Sequence, residues 1–491
     1  MTIPAEQAAT AALLQGLAGA APIETHISAV FVGADTVWKL RKAVKLPFVD
    51  FSTLQERHRT ALRELELNAP HAPHLYRDVV PVTRRADGAL ALGGDGAPVD
   101  WVLRMARVPA ADFLDAVALR GGLTPGLLDA LGDTVAAMHA QLGPIDRDQY
   151  AALYAVARGN AESARTAGLD ARPVAEWLQA MLAALDARAD WLRARNAAGS
   201  VRRIHGDLHL GNICLWQGHP VPFDALEFDE NLAIFDAGYD LAFLLMDLDT
   251  RVGRPAANRV LNRYVARTGD AGLVAGLPVF LSMRAMVRAH VQARMGSAGP
   301  DYLARATAYL RPAPPVALAI GGLPGTGKST LARTLAPELG PAPGALVLRS
   351  DEIRKRQHGL APEARLPPHA YTTAASQAVF AELMRAMRSA TQAGHAAIAD
   401  ATFIDPRHRD EVAHAVGGAP FQGVWLRASL PVLEARVAGR TGDASDADVA
   451  VLRRAATADP GRIDWLALDA ADGPQTAQNL RDALRRRGML D

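Results

Sequence analysis

Gly322-Leu323-Pro324-Gly325-Thr326-Gly327-Lys328-Ser329, followed by Thr330, fits G-x(4)-G-K-[ST] in full. Glycines at these positions let backbone N–H groups close around phosphate oxygens, and a helix beginning at the lysine adds its positive N-terminal end. Lys328 would neutralise the outer phosphates of ATP, Ser329 would hold Mg2+, and Thr330 completes the cofactor-binding set. The context fits: a buried-strand pattern at 316–320 precedes the loop and a helical pattern at 328–339 follows it.

Further residues belong to the same chemistry. Asp351, at the end of the next expected strand, would take the proton of an acceptor hydroxyl, and Arg354 lies one helical turn on. The competing role for Asp351 is a helix N-cap. Asp400 ends the third expected strand, where a magnesium-orienting carboxylate is needed; its competing role is a turn aspartate. Arg436 and Arg440 are four apart, a spacing that suits a lid closing on nucleotide phosphates or, equally, a solvated helix face.

A second constellation lies far upstream. His205-Gly206-Asp207-Leu208-His209-Leu210-Gly211-Asn212 fits H-x-D-x(4)-N, and a strand pattern at 213–216 then leads to Phe223-Asp224. In kinase-like folds the first aspartate accepts the acceptor's proton, and the asparagine and the later aspartate hold Mg2+. Asp207, Asn212 and Asp224 fill those roles. His209 and Cys214 read as structural.

On these residues the first half resembles the aminoglycoside-phosphotransferase-like branch of the protein-kinase fold. Gly206 supports that branch, since many protein kinases carry an arginine there that pairs with a phosphorylated loop. The resemblance implies an ATP-contacting lysine and a helical glutamate to pair with it. Lys39 and Glu64 fit, with Lys42 and Glu66 as alternatives. The first hairpin carries only Gly33 where a protein kinase has a glycine-rich loop. The second half, over about 316–470, resembles the small P-loop kinases of hydroxyl acceptors: the gluconate kinase, zeta toxin and polynucleotide 5′-kinase group. Almost end to end, including Thr25-His26-Ile27-Ser28 and Gly442-Asp443-Ala444-Ser445-Asp446, the chain resembles a family of fused bacterial proteins that join an aminoglycoside phosphotransferase-like half to a P-loop ATP-binding half.

These residues need two scaffolds. Strand patterns at 26–32, 36–41, 79–83 and 101–108, with a helix at 51–68, describe a small β-rich lobe over 24–108. Helical patterns at 125–141, 173–198, 238–247 and 277–295 describe a helical lobe over 109–305, interrupted at 203–229. Arg311-Pro312-Ala313-Pro314-Pro315 stops the helical pattern and places a boundary near 312. Beyond it, strands at 316–320, 345–348, 395–399 and 423–426 alternate with helices at 328–339, 372–393, 406–415, 431–440 and 475–487, which argues for a parallel sheet flanked by helices. The predicted fold is therefore α+β followed by α/β: a bilobal kinase-like domain at 1–311 and a P-loop NTPase domain at 312–491.

At 491 residues the chain has room for about three domain-sized units. Lys+Arg is 53 against Asp+Glu 52, which excludes gripping nucleic acid or membrane by charge alone. Lysine occurs only at Lys39, Lys42, Lys45, Lys328 and Lys355. The wealth of arginine reads as codon bias, and the lysines that remain fall beside the two expected ATP sites. Cys214 is the only cysteine, so no internal disulfide can form. With an acidic N-terminus and no apolar run of membrane-spanning length, the expectation is a cytoplasmic protein. The leading functional reading is a kinase with two ATP- and Mg2+-dependent sites, each acting on a hydroxyl of a small-molecule or other non-protein acceptor. One alternative keeps only the P-loop half as a kinase, with the first half sensing nucleotide or docking. Another makes the P-loop half a polynucleotide 5′-hydroxyl kinase, with Arg202-Arg203 and Arg485-Arg486-Arg487 as phosphate contacts; solvated charge is the favoured role for those arginines. Neither the acceptors nor the oligomeric state can be read from the sequence.

Overall fold

A computed structural model describes residues 2–46, 49–440 and 442–490. The chain forms two compact units, one of Met1–Leu127, Met138–Ala152 and Arg195–Asp240, the other of Leu128–Ala137, Leu153–Ala194 and Leu241–Asp491.

The first unit is built on a six-stranded antiparallel sheet in the order Ile23–Glu24, Ser28–Val32, Thr36–Arg41, Ala97–Ala106, Tyr76–Arg84, Leu90–Leu92. Alternation sorts its side chains. Phe31, Leu40, Val82 and Val102 pack on one face together with Leu14 of helix Ala8–Ala18, which the sequence patterns did not reveal. Lys39 and Arg41 point to the other face. Helix Leu54–Asn68 starts where the Glu56 N–H donates to the Thr53 hydroxyl. Its buried face runs Arg57, Ala61, Glu64, Asn68, a helical spacing that presents a carboxylate. The irregular stretch at 203–229 is flanked by one antiparallel ribbon, Val201–Arg203 paired with Ile234–Asp236, and contains another, Ile213–Trp216 paired with His219–Pro222.

The second unit holds a five-stranded parallel sheet in the order Leu346–Arg349, Ala397–Asp400, Ala317–Gly321, Phe421–Arg427, Leu466–Asp469. The last strand, Leu466-Ala467-Leu468-Asp469, was not anticipated; it is only four residues long and lies at the sheet edge, with Leu466 and Leu468 half-buried against the core. Leu318, Ile320, Ile398 and Val424 of the sheet pack against Leu331, Leu335, Leu480 and Leu484 of the helices. The helix after the phosphate loop ends at Leu335, earlier than expected, and passes into a 3-10 turn containing Pro337. The expected helix at 173–198 is two, Ala171–Asp186 and Ala189–Ala197. Helices Arg254–Thr268 and Gly299–Tyr309 also belong to this unit. Both escaped the sequence patterns: the first buries Asn258 on its packed face, and the second begins on Gly-Pro.

Candidate active sites

In the first unit, strand Thr36–Arg41 and helix Leu54–Asn68 bring Lys39 and Glu64 together: Lys39 Nζ donates to Glu64 Oε1 at 2.7 Å and to Asp224 Oδ1 at 2.5 Å. Burial disfavours the ammonium, but Asp224 and Glu64 outweigh it and raise the Lys39 pKa. Burial likewise opposes the Asp224 carboxylate, and Lys39 overcomes it, holding Asp224 down at about 2. Asp224 has φ +61° and its N–H donates to the Tyr76 hydroxyl at 3.0 Å, so the loop is fixed in a turn that aims the carboxylate at Lys39. Lys42 points elsewhere, to Glu24 at 2.7 Å and the Thr25 carbonyl, and exposed Lys45 pairs with Asp50. Of the lysines clustered at 39–45, Lys39 alone reaches this site.

Asn212 Nδ2 donates to Asp207 Oδ2 at 2.9 Å and to the Asp207 carbonyl at 3.0 Å, so these two side chains share one small loop. Sequence reasoning missed what holds that loop. The His205 and Gly206 N–H groups donate to buried Asp240 at 2.9 and 3.0 Å, and His139 lies 3.2 Å from the same carboxylate. No local spacing announces Asp240. Gly206 has φ +85°, and a Cβ there would stand 3.1 Å from the Leu226 Cβ, so glycine is required by the backbone here. Arg41 was also missed, though it lies two residues beyond Lys39 and hence on the same face. It bonds the second oxygen of Glu64 and reaches Glu227 Oε1 at 2.5 Å. Burial, with Glu64 nearby, pushes Glu227 up to about 7 against the pull of Arg41. Arg202 and Arg203 are not solvated charge: Arg202 donates to the carbonyls of His139 and Leu142, and Arg203 to that of Leu226. Arg485, Arg486 and Arg487 are exposed.

In the second unit the phosphate loop leaves strand Ala317–Gly321 and enters helix Lys328–Leu335. Gly322, Gly325 and Gly327 take φ of +138°, +86° and +84°. A Cβ would lie 2.6 Å from the Leu426 carbonyl oxygen at Gly322 and 3.0 Å from that of Leu433 at Gly325. Lys328 Nζ donates to the Gly322 and Leu323 carbonyls at 2.9 and 3.0 Å, and burial lowers its pKa. An ammonium held by two neutral carbonyls is under-compensated and suited to receive phosphate oxygens. Ser329 Oγ donates to Asp400 Oδ2 at 2.5 Å, which places the proposed metal-holding hydroxyl and carboxylate together.

Asp351 lies in the first turn of helix Ser350–Gln357; burial and Asp400 raise its pKa while Arg349 and Lys328 pull it down. Arg354 faces the same cavity of about 2010 Å³, its guanidinium 4.9 Å from the Tyr371 ring centre and one N–H on the Ala370 carbonyl at 2.8 Å. Arg436 and Arg440 also line this cavity, but helix Leu430–Ala438 stops before Arg440, so the two do not share a helical face. Arg436 is engaged with the Ala470 and Ala471 carbonyls, each at 2.8 Å. Sequence reasoning passed over Arg349, a buried guanidinium contacting Glu352 at 2.8 Å, Asp443 at 2.8 Å and Asp400 at 3.3 Å. Its signal was an arginine ending an otherwise apolar strand. Lys355 is also buried, paired with Asp446 at 2.6 Å. Among the described residues no cluster of three or more His, Cys, Asp or Glu forms a preassembled metal cage, and no helix is long and apolar enough to cross a membrane.

Residues 48–275 match the phosphotransferase enzyme family, and residues 318–458 match an AAA domain family. The chain joins a phosphotransferase segment to a P-loop kinase-like segment. It is an enzyme of the kinase class. Uncharacterized proteins of Mycobacterium tuberculosis and Mycobacterium bovis are each 28% identical to it over 468 residues, 90% of either chain. Among solved structures, a choline/ethanolamine kinase family protein from Mesorhizobium loti covers 62% of this chain and 95% of its own, at 12% identity and a TM-score of 0.38. A gluconokinase from Sinorhizobium meliloti covers 36% of this chain and 95% of its own, at 21% identity and a TM-score of 0.27.

Proposed function

We propose that the protein transfers the γ-phosphoryl group of ATP at two separate sites, one in each half, to hydroxyls of small-molecule acceptors. Along the chain we place the two catalytic segments at 1–311 and 312–491, with residues 241–311 packed in the compact unit that holds the P-loop sheet. The observation that carries the reading is that each half assembles its own set of groups: Lys39, Glu64, Asp224, Asn212 and Asp207 in one, and Lys328, Ser329, Asp400 and Asp351 in the other. Mg2+ would be held by Asn212 and Asp224 in the first site and by Ser329 and Asp400 in the second, and would supply neutralisation of phosphate charge.

The chain's own residues do the rest. In the first half, Lys39 leaves Asp224 to meet phosphate while Glu64 keeps hold of it, and Asp207 receives the hydroxyl proton. In the second, the loop's N–H groups orient the phosphates and Lys328 exchanges its carbonyl contacts for them. Asp351 takes the acceptor proton, and its raised pKa makes it a better base than an ordinary aspartate. Arg354 orients the acceptor beside it. The test is transfer of labelled phosphate from ATP into a small-molecule cell extract. Lys328→Ala and Asp207→Ala should each abolish a different set of labelled products. Unchanged labelling in both variants would defeat the reading.

One observation favours a second reading, in which only the P-loop half turns over. The Gly33 hairpin is short and stiff: Gly33 N–H donates to the Thr36 carbonyl at 2.8 Å, and Arg77 and Arg107 bind its carbonyls. Such a hairpin offers few N–H groups to cover phosphates. That reading requires Asp207→Asn to leave every product unchanged while nucleotide still binds the first half.

A further inference from the structure

Strand Leu346–Arg349 lies at the edge of the parallel sheet and pairs on its inner side with Ala397–Asp400. It delivers Arg349 and, immediately after, the helix that carries Asp351. An edge strand turns backbone N–H and C=O groups outward, where they must find partners. Here the partners come from helix Arg254–Thr268 of the same compact unit. The Val347 N–H donates to Asn262 Oδ1 at 2.6 Å, and Asn262 Nδ2 donates to the Ala345 carbonyl at 3.2 Å. In a parallel ladder, a residue accepts from one position of its neighbour and donates to the position two before it. The Asn262 carboxamide makes that pair of bonds around Leu346. It stands in for the N–H and C=O that one residue of a sixth strand would present.

The amide is itself held in orientation. Asn258, one turn earlier, donates to the Ala345 carbonyl at 3.0 Å, and Asn262 Nδ2 lies 3.0 Å from Asn258 Oδ1. Asn258 and Val347 are buried and Asn262 is half-buried, so water has limited access to these bonds. The same helix also grips the next element: Arg356, on helix Ser350–Gln357, donates to the Ala266 carbonyl at 2.7 Å.

We propose that Asn262 is a positioning residue for phosphoryl transfer at the P-loop site, fixing where Arg349 and Asp351 stand against the phosphate loop. This rests on the reading of that site as a phosphotransferase. The phosphate loop hangs from Ala317–Gly321, with Ala397–Asp400 between it and the edge strand. Loss of the Asn262 amide therefore disturbs the acceptor-side carboxylate and leaves the nucleotide cradle in place.

The test uses the full chain in a Lys39→Ala background, so that the P-loop site alone reports. Transfer of labelled phosphate from ATP to water and to a small-molecule cell extract gives kcat, and titration with a fluorescent ATP analogue gives nucleotide affinity. Asn262→Leu, which removes both bonds, should lower kcat at least tenfold and leave affinity within threefold. Asn262→Asp keeps the acceptor for Val347 and should fall between. An unchanged kcat in Asn262→Leu, or kcat and affinity falling together with the folded fraction, overturns the proposal. Lys328→Ala separates the two levels. If it is inactive while Asn262→Leu is fully active, only the positioning role fails; if no transfer depends on Lys328, the reading of the site fails and takes this proposal with it.

Discussion

Glu227→Gln should make the first unit more stable at pH 8 and leave it nearly unchanged at about pH 4. Glu227 is 8% exposed, and burial with Glu64 nearby raises its pKa from an ordinary 4.5 to about 7. The sign follows from linkage. A carboxyl whose folded pKa is raised costs nothing while it stays protonated in both states, below about pH 4.5. The cost grows as pH climbs and is complete above about 7. A rise of this size corresponds to about 3–4 kcal/mol at about 1.4 kcal/mol per pH unit. Glu64 and Glu227 share Arg41, and the amide removes the ionisable group of Glu227 from beside the Glu64 carboxyl. Gln keeps an oxygen for Arg41 to bond. The assay is native-state amide exchange of the 36–41 segment, mutant against wild type at each pH. At pH 8 the mutant should exchange about 300-fold more slowly; at about pH 4 the two should agree within about threefold. Equal ratios at both pH values, or faster exchange in the mutant at pH 8, would refute the reasoning.

Three other outcomes follow from the same geometry. Gly325→Ala forces a side chain into φ +86° and to 3.0 Å from the Leu433 carbonyl oxygen; it should cost about 1–3 kcal/mol of local stability and weaken ATP binding at the P-loop site, read by titration in the Lys39→Ala background. Asp240→Ala leaves the His205 and Gly206 N–H groups buried without their acceptor; about 1–3 kcal/mol for each should appear as lost protection of the 204–212 segment, together with loss of Asp207-dependent products. Cys214 is buried and its thiol is pushed up to about 12; maleimide should therefore label it only at the rate of unfolding, and rapid stoichiometric labelling at pH 8 would show that its packing is misread.

The phosphate-handling residues were legible because their chemistry demands local spacing. Lys328 must follow Gly327 at the head of a helix, and Asn212 must stand close enough to Asp207 to share a loop. Lys39 and Glu64 required the family resemblance, since no short motif links a strand to a helix face. What holds these residues was harder to see. Asp240, Arg349 and Asn262 make tertiary contacts with distant segments, and only Arg349, ending an apolar strand, stands out in its own neighbourhood. The helix that bears Asn262, Arg254–Thr268, carries an apolar stripe of Ala257, Val260, Leu261, Tyr264 and Val265, but polar residues interrupt it: Asn258 is buried on the packed face, and with Asn262 it satisfies backbone groups of the sheet edge. The lysine pattern was half informative. Lys39 and Lys328 stand in the proposed sites, whereas Lys42, Lys45 and Lys355 pair with Glu24, Asp50 and Asp446.

The central claim is that one chain holds two nucleotide sites. Equilibrium titration of the full-length protein with radiolabelled ATP and Mg2+ tests it most directly. The account predicts two nucleotides per chain, one lost in Lys328→Ala, the other lost in Lys39→Ala, and none bound by the double variant. A single nucleotide per chain, unaffected by Lys39→Ala, would contradict it.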